Sequence, residues 1–179
     1  MSYVSTGALL SSKDQTWTTP PELLDQLHEE FFFTRDIASA PDTYSAKVIG
    51  KFWTPEDDAL AQSWEGECGF LNPPYGRELA AWIAKAAEEV ASAEKPTTIV
   101  MLIPARPDTA IWQDVILRSA REIRFVRGRL RFGGGEMPAP SPSAIVVFSN
   151  ASPYGPDYQF LPGKEPCPPS FYAFTPRKA

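Results

Sequence analysis

The chain has 179 residues, enough for one domain, and 43% of them are hydrophobic, which excludes a disordered protein. It has no apolar run long enough to span a membrane, and its two cysteines and one histidine exclude a disulfide framework or a zinc cluster. The net charge of −5 conceals a gradient, because residues 1–105 carry 7 basic and 16 acidic side chains, whereas residues 106–131 carry 7 arginines and 3 acids.

The first third of the chain predicts a polar arm, a helix and a short strand. Residues 1–16 form the arm. The sequence Thr19-Pro20-Pro21-Glu22 is typical of a helix start, with Thr19 as the N-cap and Pro20 in the first helical position. Residues 32–37 then predict a strand. The apolar side chains of the helix recur at helical spacing: Leu23, Leu24, Leu27 and Phe31.

From residue 68 onward, strands alternate with helices. The predicted strands cover residues 68–71, 97–104, 122–126, 130–132 and 143–148, and amphipathic helices cover 79–90 and 111–119. This order predicts an α/β protein with a doubly wound, mostly parallel sheet and an antiparallel edge. Ligands of such sheets bind at the carboxyl ends of the strands, which is where Asp36, Asn72 and Arg106 fall.

Other parts of the chain have no clear period. Residues 43–66 are ambiguous, although Trp53, Leu60 and Trp64 are expected in the core. Residues 151–179 hold 7 of the 19 prolines and predict a loop-like tail, whose last aromatic residues (Phe171, Tyr172 and Phe174) are expected to pin it to the domain. The predicted organisation is an arm (1–16), a domain (17–150) and a proline-rich tail (151–179).

The sharpest signal is Asn72-Pro73-Pro74-Tyr75, directly after a short apolar strand. The exocyclic amine of adenine is a poor nucleophile because its lone pair is delocalised into the ring. Two acceptors on its N–H groups localise that lone pair, and the Asn72 side-chain oxygen and the Pro73 carbonyl can supply them. Pro74 restricts the direction of that carbonyl, and Tyr75 offers a face on which an extruded base stacks. The alternative is a rigid loop in which the prolines stop the strand and Tyr75 packs.

This motif resembles motif IV of the amino methyltransferases that use S-adenosylmethionine. From about Asp14 to Phe148, the chain resembles the small phage and prophage DNA N6-adenine methyltransferase family in the order of its segments: DQTWTTPPELLDQL, FTRDIASAPDTYSAK, FWTPEDDALAQSW, FLNPPYGRELAAWIAKAAEE, TIVMLIPARPDTAIW, IRFVRGRLRFGG and PSAIVVF. The resemblance implies a Rossmann-like methyltransferase fold, S-adenosylmethionine as the cofactor, and transfer of its methyl group to adenine N6 in double-stranded DNA.

The resemblance also implies roles for particular residues. The amine site is formed by Asn72, Pro73, Pro74 and Tyr75. The cofactor is expected to contact Trp17, Thr18, Thr19, Pro20, Asp36, Ala38, Asp58, Leu60 and Asn72. The target DNA is expected to contact Arg106, Asp108, Thr109, Arg127, Arg129 and Arg131. The turn Ala38-Ser39-Ala40-Pro41 departs from the pattern, because many methyltransferases have a glycine-rich turn there.

Several of these residues have structural alternatives. Thr19 and Pro20 are explained by a helix start, Asp36 by a capped turn, and Asp58 by a solvated acidic pair. Arg127, Arg129 and Arg131 alternate, so an extended stretch would place three guanidinium groups on one face, with neighbouring Arg124 as a further candidate for phosphate contact. A solvated charged surface is the alternative. His28, the single histidine, is expected on a surface helix without a catalytic role.

Three other functions remain open at this point. The same motif occurs in enzymes that methylate a glutamine amide of a protein and in enzymes that methylate RNA bases, and the fold could also serve as a non-catalytic DNA-binding module. The arginine cluster favours DNA. We expect neither a metal nor a membrane partner. The expected location is the cytoplasm of a bacterium or a phage-infected cell. The resemblance implies that methylation there would protect DNA from restriction.

Overall fold

A computed structural model describes residues 18–40, 42–132, 138–151 and 170–176. The helices are α1 (Pro21–Phe31), α2 (Tyr44–Ile49), α3 (Leu79–Ser92) and α4 (Leu117–Ser119), and a π-helix, Trp112–Ile116, leads directly into α4. The strands are β1 (Arg35–Asp36), β2 (Cys68–Leu71), β3 (Thr98–Pro104), β4 (Glu122–Val126), β5 (Ser143–Ser149) and β6 (Ser170–Phe174). Two 3-10 turns, Pro55–Asp57 and Ala59–Ala61, lie between α2 and β2.

The strands form one sheet in the order β1-β2-β3-β5-β4-β6. All neighbours pair in parallel except β5, which is antiparallel to both β3 and β4. This arrangement confirms the predicted fold class. The antiparallel strand lies inside the sheet, however, rather than at its edge. Its six residues from Ser143 to Phe148 are all buried, so this strand needs partners on both sides and a helix layer on each face.

Helices cover both faces of the sheet. On β3, Ile99, Met101 and Ile103 face one core cluster together with α3 and the π-helix. Val100 and Leu102 alternate with them and face a second cluster that includes Leu23, Leu24 and Leu27 of α1. The alternation explains why the strand is apolar at every position from Ile99 to Ile103. Trp64 is fully buried, whereas Trp53 and Leu60 are half-buried against the first cluster.

The start of α1 differs from the sequence prediction. The N-cap is Pro20 and the helix begins at Pro21, so Thr19 lies one residue before the cap and makes no capping hydrogen bond. Thr19 is nevertheless buried, with 7% of its surface exposed. Its hydroxyl contacts Asn72, the residue after β2, rather than the backbone of α1.

Two further predictions need correction. Residues 130–132 form no strand, because the chain bends at Gly128, which has a φ of 81°, and Leu130 and Phe132 instead pack into the second core cluster. The tail is also not loop throughout, because Ser170–Phe174 is the edge strand β6, paired in parallel with β4. Phe174 is buried in the second cluster. Within the described residues, no helix is long and apolar enough to cross a membrane.

Candidate active site

A cavity of about 450 Å³ opens at the carboxyl ends of β1 and β2. Its volume falls within the range of roughly 300–1,000 Å³ that is usual for small-molecule sites. Its walls come from the residues before α1, the end of β1 with the connection that follows it, the motif after β2, and the start of α3. The cavity brings together ten residues singled out by the sequence: Thr18, Thr19, Asp36, Ala38, Asp58, Leu60, Asn72, Pro73, Pro74 and Tyr75.

Asp36 is the buried charge of this cavity. It ends β1 and is 1% exposed. Burial raises the pKa of Asp36, and hydrogen bonds from the Ser45 and Ser39 side chains and from the Ala38 backbone partly offset that effect. Within the described part of the chain, its Oδ1 atom has no hydrogen-bond partner. A buried carboxylate oxygen of this kind can accept a hydrogen bond from a ligand.

Three hydroxyl side chains line the wall next to Asp36. The Ser39 and Thr43 hydroxyl oxygens are 2.7 Å apart, and those of Thr43 and Ser45 are 3.2 Å apart. Thr43 also caps α2 by accepting a hydrogen bond from the Ala46 amide. Many methyltransferases have a glycine-rich turn after this strand. This chain has no glycine there, and side-chain hydroxyls follow the strand instead.

Another part of the wall is formed by the 3-10 turns, next to which Asp58 has a left-handed conformation with a φ of 45°. Few residues other than glycine adopt this conformation, although aspartate tolerates it better than most. Hydrogen bonds from the Thr54 amide and hydroxyl hold the turn and lower the pKa of Asp57. The Trp64 indole nitrogen donates to the Ala59 carbonyl at 2.8 Å, which ties this wall to the core.

Asn72 lies at the end of β2, where the cavity meets the residues before α1. Its amide nitrogen Nδ2 donates to the hydroxyl oxygen of Thr19 at 3.1 Å. The Tyr75 hydroxyl donates to the Leu102 carbonyl of β3 at 3.1 Å. Burial raises the pKa of Tyr75, so the hydroxyl keeps its proton and remains a donor. The Tyr75 ring stands perpendicular to that of Phe132, with centroids 6.0 Å apart.

The exposed arginines lie on the same side of the sheet as the cavity, at the carboxyl ends of the parallel strands (called the carboxyl edge below). Because β4 runs parallel to β1, β2 and β3, the residues after Val126 emerge at the carboxyl edge, where Arg106 follows β3. Arg106, Arg127, Arg129 and Arg131 are exposed, as is Asp108. Arg129 donates to the Ala139 and Pro140 carbonyls, at 3.0 and 2.6 Å. The Thr109 hydroxyl donates to the Arg106 carbonyl at 2.8 Å and stabilises the turn after β3.

Arg124 differs from the other arginines of this segment. It is 9% exposed, and its guanidinium pairs with the carboxylates of Glu30 and Glu122. It also lies over the rings of Phe31 and Phe174, with its central carbon 5.2 and 5.8 Å from their centroids. This arginine therefore joins α1 to β4 and β6, and its guanidinium is already occupied by carboxylates. Its spacing alone does not distinguish it from the neighbouring arginines.

Of the described residues predicted to contact the cofactor, Pro20 does not line the cavity, because it caps α1 without reaching the cavity wall. Trp17 lies outside the described residues. Conversely, several lining residues were not predicted as ligands: Ser39, Ala40, Thr43, Ser45, Thr54, Pro55, Ala59, Glu78 and Trp82. Most of them follow Asp36 within the segment 39–59, so their nearness to a strand end was the available signal. Within the described residues, no cluster of His, Cys, Asp or Glu could hold a metal ion.

A doubly wound sheet with a cavity at the carboxyl ends of its strands defines an α/β protein that binds a small-molecule ligand. The model of the DNA N-6-adenine-methyltransferase (Dam) family matches residues 6–150, and the chain belongs to this family. A protein of Haemophilus phage HP1 (strain HP1c1), described as a DNA N-6-adenine-methyltransferase, is 29% identical over 151 residues, which cover 81% of this chain and 84% of that protein.

These findings confirm the predicted family and activity. The chain is an enzyme that methylates adenine N6 in DNA, and it requires a methyl donor. The predicted alternatives of glutamine or RNA methylation and of a non-catalytic module give way to this assignment. The family match ends at residue 150, so β6 lies beyond it.

Proposed function

We propose that the methyl donor is S-adenosylmethionine, that the DNA is double-stranded, and that the target adenine is rotated out of the duplex into the Asn72–Tyr75 side of the cavity. One observation carries the proposal: a single cavity holds both the buried Asp36 carboxylate and the whole of Asn72-Pro73-Pro74-Tyr75. A methyl donor and an amine acceptor can therefore meet in it.

The residues around Asp36 fit S-adenosylmethionine. This donor carries an ammonium group, a carboxylate, two ribose hydroxyls and an adenine, and when bound it supplies an electrophilic methyl group on a positively charged sulfur. Asp36 offers a buried acceptor for an N–H or O–H donor, and the hydroxyls of Ser39, Thr43 and Ser45 lie beside it. Asp58 and Leu60 also line the cavity, where an adenine ring would find an apolar surface and a carboxylate.

Asn72 and Pro73 prepare the amine acceptor. The Asn72 Oδ1 atom and the Pro73 carbonyl oxygen accept the two N–H bonds of the adenine amine, which localises its lone pair. Pro74 limits the rotation of the Pro73 carbonyl. Tyr75 stacks on the extruded base, and its own hydrogen bond to Leu102 anchors the end of the side chain. This scheme requires no strong general base.

The exposed arginines of the carboxyl edge complete the DNA side. Arg127 and Arg131 lie in the segment that leads to Phe132, whose ring contacts that of Tyr75. A duplex that approaches this edge would place its phosphates on these side chains while one adenine enters the cavity. Extrusion from a duplex is needed because a stacked base does not expose its amine to a recessed site.

The test is incubation with methyl-deuterated S-adenosylmethionine and mixed-sequence duplex DNA, followed by digestion and mass detection of N6-methyladenine. Parallel samples contain single-stranded DNA and RNA of the same sequence. Labelled N6-methyladenine in the duplex sample supports the proposal. Calorimetry without DNA measures cofactor binding separately. Absence of S-adenosylmethionine binding, or label confined to single strands, would overturn it.

A further inference from the structure

The side chain of Asn72 is held by a residue 53 positions earlier in the chain. Thr19 Oγ1 accepts a hydrogen bond from Asn72 Nδ2 at 3.1 Å, and Thr19 is 7% exposed. The threonine does not cap α1, since Pro20 is the N-cap and makes no side-chain capping bond. Its hydroxyl therefore has another use, which the motif Thr-Pro-Pro-Glu conceals at the level of sequence.

We propose that Thr19 is a positioning residue, whose hydroxyl holds the Asn72 amide with Nδ2 toward the start of α1 and Oδ1 toward the target amine. The proposal rests on the function proposed above. The two ends of an asparagine amide have nearly the same shape, but one accepts and the other donates. An amine presents N–H donors, so only the orientation with Oδ1 facing it is productive.

The threonine supports that orientation in a way that an apolar residue cannot. When Oδ1 is bonded to the amine, Nδ2 points to the opposite side of the amide, and a hydroxyl can accept its hydrogen. Removing the hydroxyl takes this acceptor from a donor in a buried environment, which is unfavourable. The bond to Nδ2 also polarises the amide and makes Oδ1 a stronger acceptor.

Position and orientation matter more to the methyl transfer step than to donor binding. Thr19→Val keeps the branched shape and removes the hydroxyl, and we expect it to lower kcat roughly ten-fold to a hundred-fold. Because Thr19 also lines the cavity, kcat is measured at saturating S-adenosylmethionine, and the loss of donor affinity, measured by calorimetry, is expected to be smaller than the loss of kcat. Thr19→Ser retains the hydroxyl and should restore most of kcat.

Thr98→Val is the matched control. The Thr98 hydroxyl lies 2.7 Å from that of Ser149 at the start of β3, at the sheet edge opposite the cavity. This variant loses one hydrogen bond outside the site, so its kcat should equal that of the unmodified protein. Thermal unfolding of all variants shows whether each is folded at the assay temperature.

A spectroscopic measurement tests the contact without any turnover. In the protein labelled with nitrogen-15, the Asn72 side-chain NH2 signals are those lost in Asn72→Ala. They should shift in Thr19→Val and stay close to their original position in Thr19→Ser. An unmodified protein that fails to methylate DNA contradicts the proposed function. If that protein is active, unchanged kcat or unchanged NH2 signals in Thr19→Val would overturn the positioning role, as would a loss of activity explained wholly by weaker donor binding.

Discussion

The hydroxyl of Tyr75 donates a hydrogen bond to the main-chain carbonyl of Leu102, 3.1 Å away, and so ties the motif after β2 to the middle of β3. The ring is thereby fixed in two ways, because Phe132 lies perpendicular to it. Because the ring already has a fixed orientation, less side-chain entropy is lost when a base stacks on it. The hydroxyl and the ring consequently have separable roles.

Two substitutions of Tyr75 distinguish these roles. Tyr75→Phe keeps the ring and loses the hydrogen bond, so we expect a loss of about 1 kcal/mol in the free energy of unfolding and a few-fold lower kcat/KM. Tyr75→Ala removes the stacking surface, which is worth about 1–3 kcal/mol, so kcat/KM should fall further by about five-fold to a hundred-fold. A fluorescent adenine analogue at the target position reports extrusion directly. Equal kcat/KM in the two variants would contradict stacking on Tyr75.

The buried carboxylate of Asp36 predicts a conflict between stability and donor binding. Because burial raises the folded-state pKa above the ordinary 3.8, the folded protein holds this proton more tightly than the unfolded chain. The free energy of unfolding therefore falls as pH rises from 3.8 through the raised folded-state value. Asp36→Asn should remove this dependence, raise stability at neutral pH and weaken S-adenosylmethionine binding at least ten-fold.

Urea unfolding at pH 4 and pH 7 and calorimetry with S-adenosylmethionine measure the two effects of Asp36→Asn. Asp42→Asn is the control, since Asp42 is an exposed aspartate in the same connection between β1 and α2. It should change neither quantity. Full donor affinity in Asp36→Asn would show that the carboxylate does not hold the donor.

The sequence predicted those parts of the fold that depend on local periodicity. The predicted strand 97–104 appears as β3 and the predicted helix 79–90 appears as α3. The first segment is a continuous apolar run typical of a buried strand, and the second has apolar residues at helical spacing. Thr19 depends on a contact that local pattern does not show. Its neighbours fit a helix start and predict the hydroxyl as the cap, whereas the hydroxyl bonds to a residue 53 positions later.

The failures share a physical cause, since each depends on contacts that are distant in sequence. Leu130 and Phe132 alternate as in a strand, but they pack into the core after a bend at Gly128. The prolines of the tail concealed β6, which forms by pairing with β4 and not through its own periodicity. In the sequence, Arg124 and Arg127 have similar neighbours. They differ only in the fold, which brings Glu30 of α1 beside Arg124.

The exposed arginines of the carboxyl edge predict a salt-dependent loss of DNA affinity. Arg127→Ala and Arg131→Ala should each weaken duplex binding and reduce the slope of log affinity against log salt by about 1, if each side chain contacts one phosphate. Arg118→Ala is the control, because Arg118 is also exposed but precedes β4 at the opposite edge. Binding is measured by fluorescence anisotropy at several salt concentrations. Equal slopes in all three variants would place the phosphates elsewhere.

The edge strand β6 predicts a structural role for residues beyond the family match. Phe174 is 8% exposed within the second core cluster, and its carbonyl accepts from the Arg127 amide at 2.7 Å. Phe174→Ala should therefore lower the free energy of unfolding by about 3–5 kcal/mol, the usual cost of such a cavity. Phe32→Ala is the control, because Phe32 is 74% exposed and its loss leaves no cavity. Since Phe174 does not line the active-site cavity, S-adenosylmethionine affinity below the unfolding temperature should stay unchanged. Equal stability of the two variants in urea would show that β6 contributes little to the sheet.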